Sequence, residues 1–482
     1  MSITSILTAV VLAVFTFLAS LFSPSFTAPI PEMKQDDFVP VMRFVATSDS
    51  HIEELGDTGC RRISALLKTA YAISDADEDY KNLDAVVFSG DITDNGKLKS
   101  FFAFAATTDN EIREGTERLA VVAKAHDSYA YSNNSLKIFT GITGQETDFH
   151  RVIGDFHFIG ISRSETLKHY TDEQVDWLDE NIAAAVKADP EKPVFVFQHE
   201  HVRDTVYGSS KTDGWGLDVF SDVLAKYPQV VHISGHSHFP ANDPRAIWQG
   251  EFTAINDGGL SYYELAVDGK NGQFPKEKER MTQALIVEVD ADNRVLVKVL
   301  DVDAGKIMRE FLVDNITEKN KTKYSFEARK EKATAPVFSD GAELTYEKKG
   351  LMHYITVPQA RVSEDNEVFV YRIFVENSKG RTVYKDWAFS DYYFADKADR
   401  IAFGGFMTLG KNLIAKVYAE DVWDIMRMNR NGEKPQSLKV DEPVAPEFVT
   451  AVGDDAINRF DESRKRKKKK RSNKGKKGTQ KS

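Results

Sequence analysis

Seven Asp and His residues, types that bind metals, fall in four short pieces of the chain: Asp49-Ser-His51, Gly90-Asp91-Ile-Thr-Asp94, His199 closing an apolar run, and Gly235-His236-Ser-His238. A fifth piece, Lys124-Ala125-His126-Asp127, adds one more imidazole and one more acid. Carboxylate oxygens and neutral imidazole nitrogens in this mixture suit a pair of divalent cations about 3.5–4 Å apart. Such a pair lowers the pKa of a shared water and neutralises charge on a phosphoryl group. Hydrolysing a phosphate ester at neutral pH requires both.

Short apolar strands must position these residues. Val41–Thr47 runs into Asp49, Ala85–Phe88 into Gly90-Asp91, Leu119–Ala123 into His126, Val194–Phe197 into His199, and Val230–Ile233 into Gly235-His236. Between them lie stretches of helical spacing. One covers 60–74, with Ile63, Leu66, Leu67 and Ala70; another covers 171–187, with Val175, Leu178, Ile182 and Ala185 behind Thr171 as N-cap. Alternating strands and helices predict an α/β fold. In such sheets functional groups gather in the loops at the carboxyl ends of strands, so five strand ends should bring Asp49, Asp91, His126, His199 and His236 together.

The order Asp-x-His, Gly-Asp-x-x-Asp, His-Asp, His, Gly-His-x-His resembles the calcineurin-like metallophosphoesterase family over roughly residues 41–260. The resemblance implies a four-layer α/β/β/α sandwich and hydrolysis of phosphate mono- or diesters by a dinuclear centre of Mn, Fe or Zn. Carried over by matched position, Asp49, His51, Asp91 and His238 would hold one metal. Asp91 would bridge to a second, held by His199 and His236. A hydroxide between the metals would attack phosphorus, and His126 would protonate the leaving group. Asp127 would orient His126, and Asp94 would be a hydrogen-bond partner behind the ligands. The family has Asn before this histidine, donating an amide oxygen to the second metal; here Ala125 has no donor atom. That departure opens an alternative, a catalytically weakened phosphoesterase scaffold acting as a cell-surface binding protein. Asp94 also stands where purple acid phosphatases carry an iron-binding Tyr, so a ferric-tyrosinate centre is not implied.

The segment 205–216 is rich in Gly and Ser and follows the metal pieces closely; Tyr207 or Trp215 would stack on a base or sugar there, or the segment is an ordinary turn-rich connection. His201 would line the substrate site or stand as a solvated loop histidine. His232, inside a strand, reads as a core histidine.

The chain has 482 residues, enough for more than one domain, and a single cysteine, Cys60, which excludes an intrachain disulfide and a Cys-based zinc site. Ile3 to Phe22 is uncharged and apolar, so residues 1–30 read as a signal peptide or an N-terminal membrane anchor, placing the catalytic domain outside the cytoplasm. The metallophosphoesterase domain is expected at 38–310. A charged linker follows over 311–331. Alternating runs such as Leu351–Val357 and Glu367–Phe374 predict a smaller all-β sandwich over 332–430, weakly similar to fibronectin type III or Ig-like modules. Residues 431–482 read as an extended linker and a polybasic disordered tail. The net charge is −11, yet residues 464–482 carry twelve Lys or Arg and no acid. Such an arm cannot fold alone and is attracted to anionic lipid or cell-wall polymer; no specific nucleic-acid partner is expected.

Overall fold

Strand β1 (Pro40–Thr47) sends alternate side chains into two different cores. Met42, Phe44 and Ala46 enter one and Val45 the other. The same division holds in β2 (Ala85–Phe88), where Ala85 and Val87 oppose Val86 and Phe88, and Leu119 and Ala120 part in the same way in β3 (Glu117–Ala120). Because both faces are covered, these strands are continuous apolar runs rather than alternating ones. Arg43, the one charged residue of β1, is fully buried and donates from Nε to Glu288 at 2.7 Å.

The computed structural model describes residues 38–423 apart from 132–133, 165–168, 269, 364 and 408–412, together with strands at 436–438 and 447–450. The apolar N-terminal run and the basic tail, with the targeting and polyanion expectations built on them, lie outside the described residues. Among the described residues no helix is long and apolar enough to cross a membrane. The chain divides into two compact units, one reaching residue 328 with 393–396 added, the other formed by the rest.

The first unit continues with β4 (Phe149–Ile153), β5 (Phe156–Gly160), β6 (Val194–Phe197), the short pair β7 (His201–Val202) and β8 (Gly216–Leu217), β9 (Val230–Ser234), β10 (Ile247–Gln249) and β11 (Thr253–Asn256). A ribbon of β12 (Leu265–Val267) and β13 (Lys270–Gln273) precedes β14 (Gln283–Asp290), β15 (Val295–Asp301) and β16 (Lys306–Val313). Two six-stranded mixed sheets result, in the orders β16-β15-β14-β1-β2-β3 and β10-β11-β9-β6-β5-β4. Between them Phe44 meets Phe158 and Phe195 edge-on at 5.0 and 4.8 Å.

Helices α1 (Thr58–Ala76), α2 (Leu98–Glu111) and α3 (Ser135–Thr143) cover the outer face of the first sheet through Ile63, Leu66, Phe101, Phe104 and Phe139. Helix α4 (Asp172–Ala188) covers the second through Leu178, Ile182 and Ala185. Thr171 caps it in a reciprocal box with Gln174, which satisfies two backbone N–H groups at its start. The layers are therefore α/β/β/α, the expected architecture.

The linker expected over 311–331 is corrected. Phe311 and Val313 complete β16, and Ile316 and Tyr324 join the core between the sheets. Sparse apolar residues there hid a packed segment, because a single covered face needs few of them.

Beyond a helix at its start (Phe326–Lys332), the described residues of the second unit form two β sheets. Strands β17 (Thr345–Lys349), β18 (Met352–Pro358), β21 (Arg400–Ala402) and β22 (Phe406–Met407) form one sheet. The other has the order β20-β19-β23-β25-β24, from β19 (Val368–Glu376), β20 (Thr382–Phe389), β23 (Ile414–Asp421), β24 (Gln436–Leu438) and β25 (Glu447–Thr450). Ile355 and Val357 from one sheet share a core with Ile373, Val375 and Val417 from the other.

Candidate metal centre

Asp49, His51, Asp91, His236 and His238 all take left-handed backbone angles, with φ between 44° and 72°. Side chains of this size rarely adopt that region, and such residues persist only where surrounding structure holds them. Here backbone hydrogen bonds between the loops do so. Asp49 N–H donates to Gly90 O at 3.0 Å, His51 N–H to Asp91 O at 3.2 Å, and Gly235 N–H to His199 O at 3.0 Å. Gly90 has to be glycine, since a Cβ there would lie 2.7 Å from His199 Nδ1.

The side chains form groups that share members. Asp49, His51 and His238 make one, Asp91, His199 and His236 a second, and His51, Asp91 and His126 a third; within each, one ligand atom per residue lies within 4.8 Å of the others. Asp49 Oδ1 is 3.3 Å from His238 Nε2 and 3.7 Å from His51 Nε2, and the two nitrogens are 3.3 Å apart. Asp91 Oδ2 is 3.1 Å from His199 Nε2, which is 3.1 Å from His236 Nδ1.

The outer nitrogens fix the tautomers. His238 Nδ1 sits 3.1 Å from Tyr262 O, and His199 Nδ1 sits 2.9 Å from Ser89 O. A carbonyl only accepts, so each Nδ1 carries a proton and each Nε2 is the atom turned inward. Asp49 Oδ1 is buried with no hydrogen-bond partner among the described residues. Close-set ring nitrogens and an orphaned carboxylate oxygen suit a cation, so these residues fit divalent metal ions.

The charges agree. Burial opposes ionisation of Asp49, yet His238, His51 and His199 hold its carboxyl well below the usual range. Burial also opposes charge on His51, but the carboxylates of Asp49 and Asp94 outweigh it and raise the ring to about 9, holding a proton that a bound cation would displace. Burial pushes His238 down to about 3 and lowers His236 as well, so both stay neutral, as ligands must.

Residues 42–240 match the family model of calcineurin-like phosphoesterases. The match lies within the layered unit and covers less than half of the chain. A probable glycerophosphodiester phosphodiesterase, GpdQ, of Arcobacter nitrofigilis is 27% identical over 209 residues, 41% of this chain and 72% of that protein. Purple acid phosphatase PPD1 from yellow lupin seeds aligns with a TM-score of 0.40 at 13% identity, over 59% of this chain and 55% of its own. This chain thus spans little more than half of the lupin protein. GAP50, the anchor in the inner membrane complex of Plasmodium, aligns with a TM-score of 0.38 at 14% identity, over 59% of this chain and 90% of that one.

Around the phosphoesterase cluster several expected placements change. Asp127 does not touch the His126 ring. Its carboxylate accepts from Thr93 N–H at 2.8 Å, Thr93 Oγ1 at 2.9 Å and Ala123 N–H at 3.0 Å, tying the turn to the Asp91 loop. The His126 ring is held by Asp94 instead, with Nδ1 2.8 Å from the backbone carbonyl and 3.6 Å from the carboxylate. That same carboxylate lies 3.6 Å from His51 Nδ1, so Asp94 stands behind both rings. His201 is not solvated: it is buried between Ser234 Oγ and Ser237 Oγ, each at 2.8 Å. Tyr207 is buried too, packed under the Arg245 guanidinium at 3.5 Å. Trp215 does reach the cluster, edge-on to His236 at 5.0 Å. His232 is buried, as expected, and burial pushes it down to about 3.

Two contributors escaped the sequence reading. Tyr262 stacks on His238 at 3.9 Å and 13°. Asp257 stands behind Asp49: Ser48 Oγ lies 2.6 Å from Asp257 Oδ1 and also contacts Asp49 Oδ2. Burial pushes Asp257 up to about 7, and one hydroxyl proton cannot serve two carboxylates. Asp257 directly follows β11, so the pattern of a strand followed by an acid was present; Tyr262 left no such signal.

Proposed function

We propose that this domain hydrolyses phosphate mono- or diesters with two divalent metal ions, one held by Asp49, His51, Asp91 and His238, the other by Asp91, His199 and His236. Asp91 groups with His199 and His236 and also with His51, which itself groups with Asp49 and His238, and that linkage through His51 is the observation that carries the reading. When bound, the ions would acidify water and neutralise phosphoryl charge. His126 moves the proton to the leaving oxygen. Its Nδ1–H donates to the Asp94 carbonyl, which leaves Nε2 to carry the transferred proton. Its backbone N–H donates to Asp91 Oδ1 at 3.2 Å, fixing proton donor and shared carboxylate together. The name of the Arcobacter relative supports phosphodiesters among the substrates. Mn, Fe and Zn all suit the donor set.

A second reading rests on Ala125, which supplies no donor where the family has an amide. In it the second metal binds weakly and the protein serves as a surface binder. Metal content per chain and hydrolysis of aryl phosphate mono- and diesters with Mn, Zn and Fe decide between them. Activity abolished by Asp91→Asn and raised by Ala125→Asn supports the enzyme. A metal-loaded Asp91→Asn variant as active as the wild type overturns it.

We further propose that the chain is exported or tethered through residues 1–30, that its basic tail binds anionic lipid or cell-wall polymer, and that the second unit is of fibronectin type III or Ig-like kind. The uncharged run Ile3–Phe22, the tail's twelve basic residues and the shared core of the two all-β sheets support these readings. A tail-deleted protein that binds anionic vesicles at low salt as well as the intact chain would refute the tail's role.

A further inference from the structure

Exposed aromatic rings need a reason, because burying them is favourable. In the first unit the exposed large aromatic side chains among the described residues are Tyr129, Tyr131 and Phe274. Tyr129 is 63% exposed, and its ring lies 4.8 Å from that of His126, inclined at 49°. His126 in turn lies 4.3 Å from His51. Tyr129 therefore extends the line of rings from the metal cluster outward past the proposed proton donor. Phe274 is 51% exposed, but the Lys278 ammonium already lies over it at 4.0 Å. Among the described residues no cation covers Tyr129.

The backbone beneath Tyr129 is tightly held. Asp127 and Ser128 are buried, Ser128 Oγ donates to Ala123 O at 3.0 Å, and Ala130 N–H donates to Asn95 O at 3.0 Å. Gly96 packs directly on this turn, where a Cβ would meet Asp127 O at 2.5 Å. One rigid turn thus presents both His126 and the Tyr129 ring, and little ordering remains for a ligand to impose.

We propose that Tyr129 is the platform on which the departing alcohol stacks, so that this site prefers phosphodiesters whose leaving group offers a planar face, such as a nucleoside or a benzyl group, over those with an aliphatic one. The inference rests on His126 facing the leaving oxygen, as proposed above. Stacking on an aromatic side chain depends on a π-face and little on the identity of the ring, and losing it costs roughly tenfold or more in affinity.

The test uses the full chain loaded with Mn and two substrates of equal carbon count, benzyl methyl phosphate and cyclohexylmethyl methyl phosphate. Release of the larger alcohol gives kcat/KM, and calorimetry gives binding of each. The wild type should favour the benzyl ester about tenfold. Tyr129→Ala and Tyr129→Leu should bring the ratio toward one, Tyr129→Phe should keep it, and Tyr131→Ala should leave it unchanged. An equal fall for both esters in Tyr129→Ala would show that the ring only positions His126, and an unchanged ratio would show no role; either overturns the proposal. If no ester is hydrolysed, the phosphoesterase reading fails separately, and the ratio of binding constants still supports or overturns the platform.

Discussion

Gly235→Ala should disable the metal centre through a single methyl group. Gly235 links β9 to His236, and its φ lies outside the left-handed region, so alanine meets no backbone penalty. The obstacle is space. A Cβ at this position would stand 2.0 Å from Ser48 Oγ and 2.6 Å from Asp49 Oδ2, against 3.4 Å for the start of ordinary contact. The deficits are therefore about 1.4 and 0.8 Å. Ser48 cannot swing aside freely, because its hydroxyl joins Asp257 and Asp49 in a buried row. Asp49 must move, and with it the oxygen that faces His51 and His238. Displacing a catalytic group by about 1 Å can cost around 100-fold in rate, and overpacking costs about 1–3 kcal/mol of stability. We expect kcat/KM for an aryl phosphodiester to fall about 100-fold, with weaker metal retention. Adding Ser48→Gly removes the two nearest Ser48 atoms and should recover part of the loss. Wild-type activity and metal content in Gly235→Ala would refute the claim that the placement of Asp49 governs the site.

Gly141, inside α3, has nothing within 4 Å of its missing Cβ, so Gly141→Ala should stabilise the chain by about 0.5–1 kcal/mol in urea denaturation without changing activity. Thr171→Ala removes the acceptor for Gln174 N–H at the start of α4 and should cost about 1 kcal/mol, read in the same assay. Burial lowers Lys321 from its ordinary value to about 8, and its Nζ donates to Pro228 O at 2.6 Å. Below about pH 8 both folded and unfolded chains hold this proton, so the cost of burying the charge is fully present; from there to about 10.5 the unfolded chain binds more protons, and stability rises with pH. The gain in stability of Lys321→Met over the wild type should therefore shrink across that window, by at most about 1.4 kcal/mol per pH unit. A difference in denaturation midpoint that stays flat between about pH 7.5 and about 10 would show that Lys321 is not strained by burial.

Much of the layered domain was legible because its strands are apolar on both faces. Ala85–Phe88 and Val194–Phe197 have no polar residue, and four such residues in a row fit only a strand covered on both sides. Helices α1 and α4 announced themselves by periodicity, with Thr171 marking a start that its box with Gln174 explains, whereas α2 and α3 went unread. The segment 311–324 was misread because Phe311, Val313, Ile316 and Tyr324 are few and set among charges, yet each fills the core between the sheets. Position at the strand end singled out His199 over His201, but not what each ring meets: one turns its Nε2 to Asp91, while the other lies between two serine hydroxyls.

The sequence by itself determined which atoms are available and that they sit at the ends of strands, since a strand's length and its first polar residue are local properties. Only the tertiary structure decided what each atom meets. It assigned His126 to the Asp94 carbonyl rather than to Asp127, placed Asp257 behind Asp49 through Ser48, and left Tyr129 open to solvent beside the cluster. Hydrogen bonds and ligand contacts form or fail over a few tenths of an ångström, and those distances are set by loops distant in the chain, brought together by the packing of two sheets.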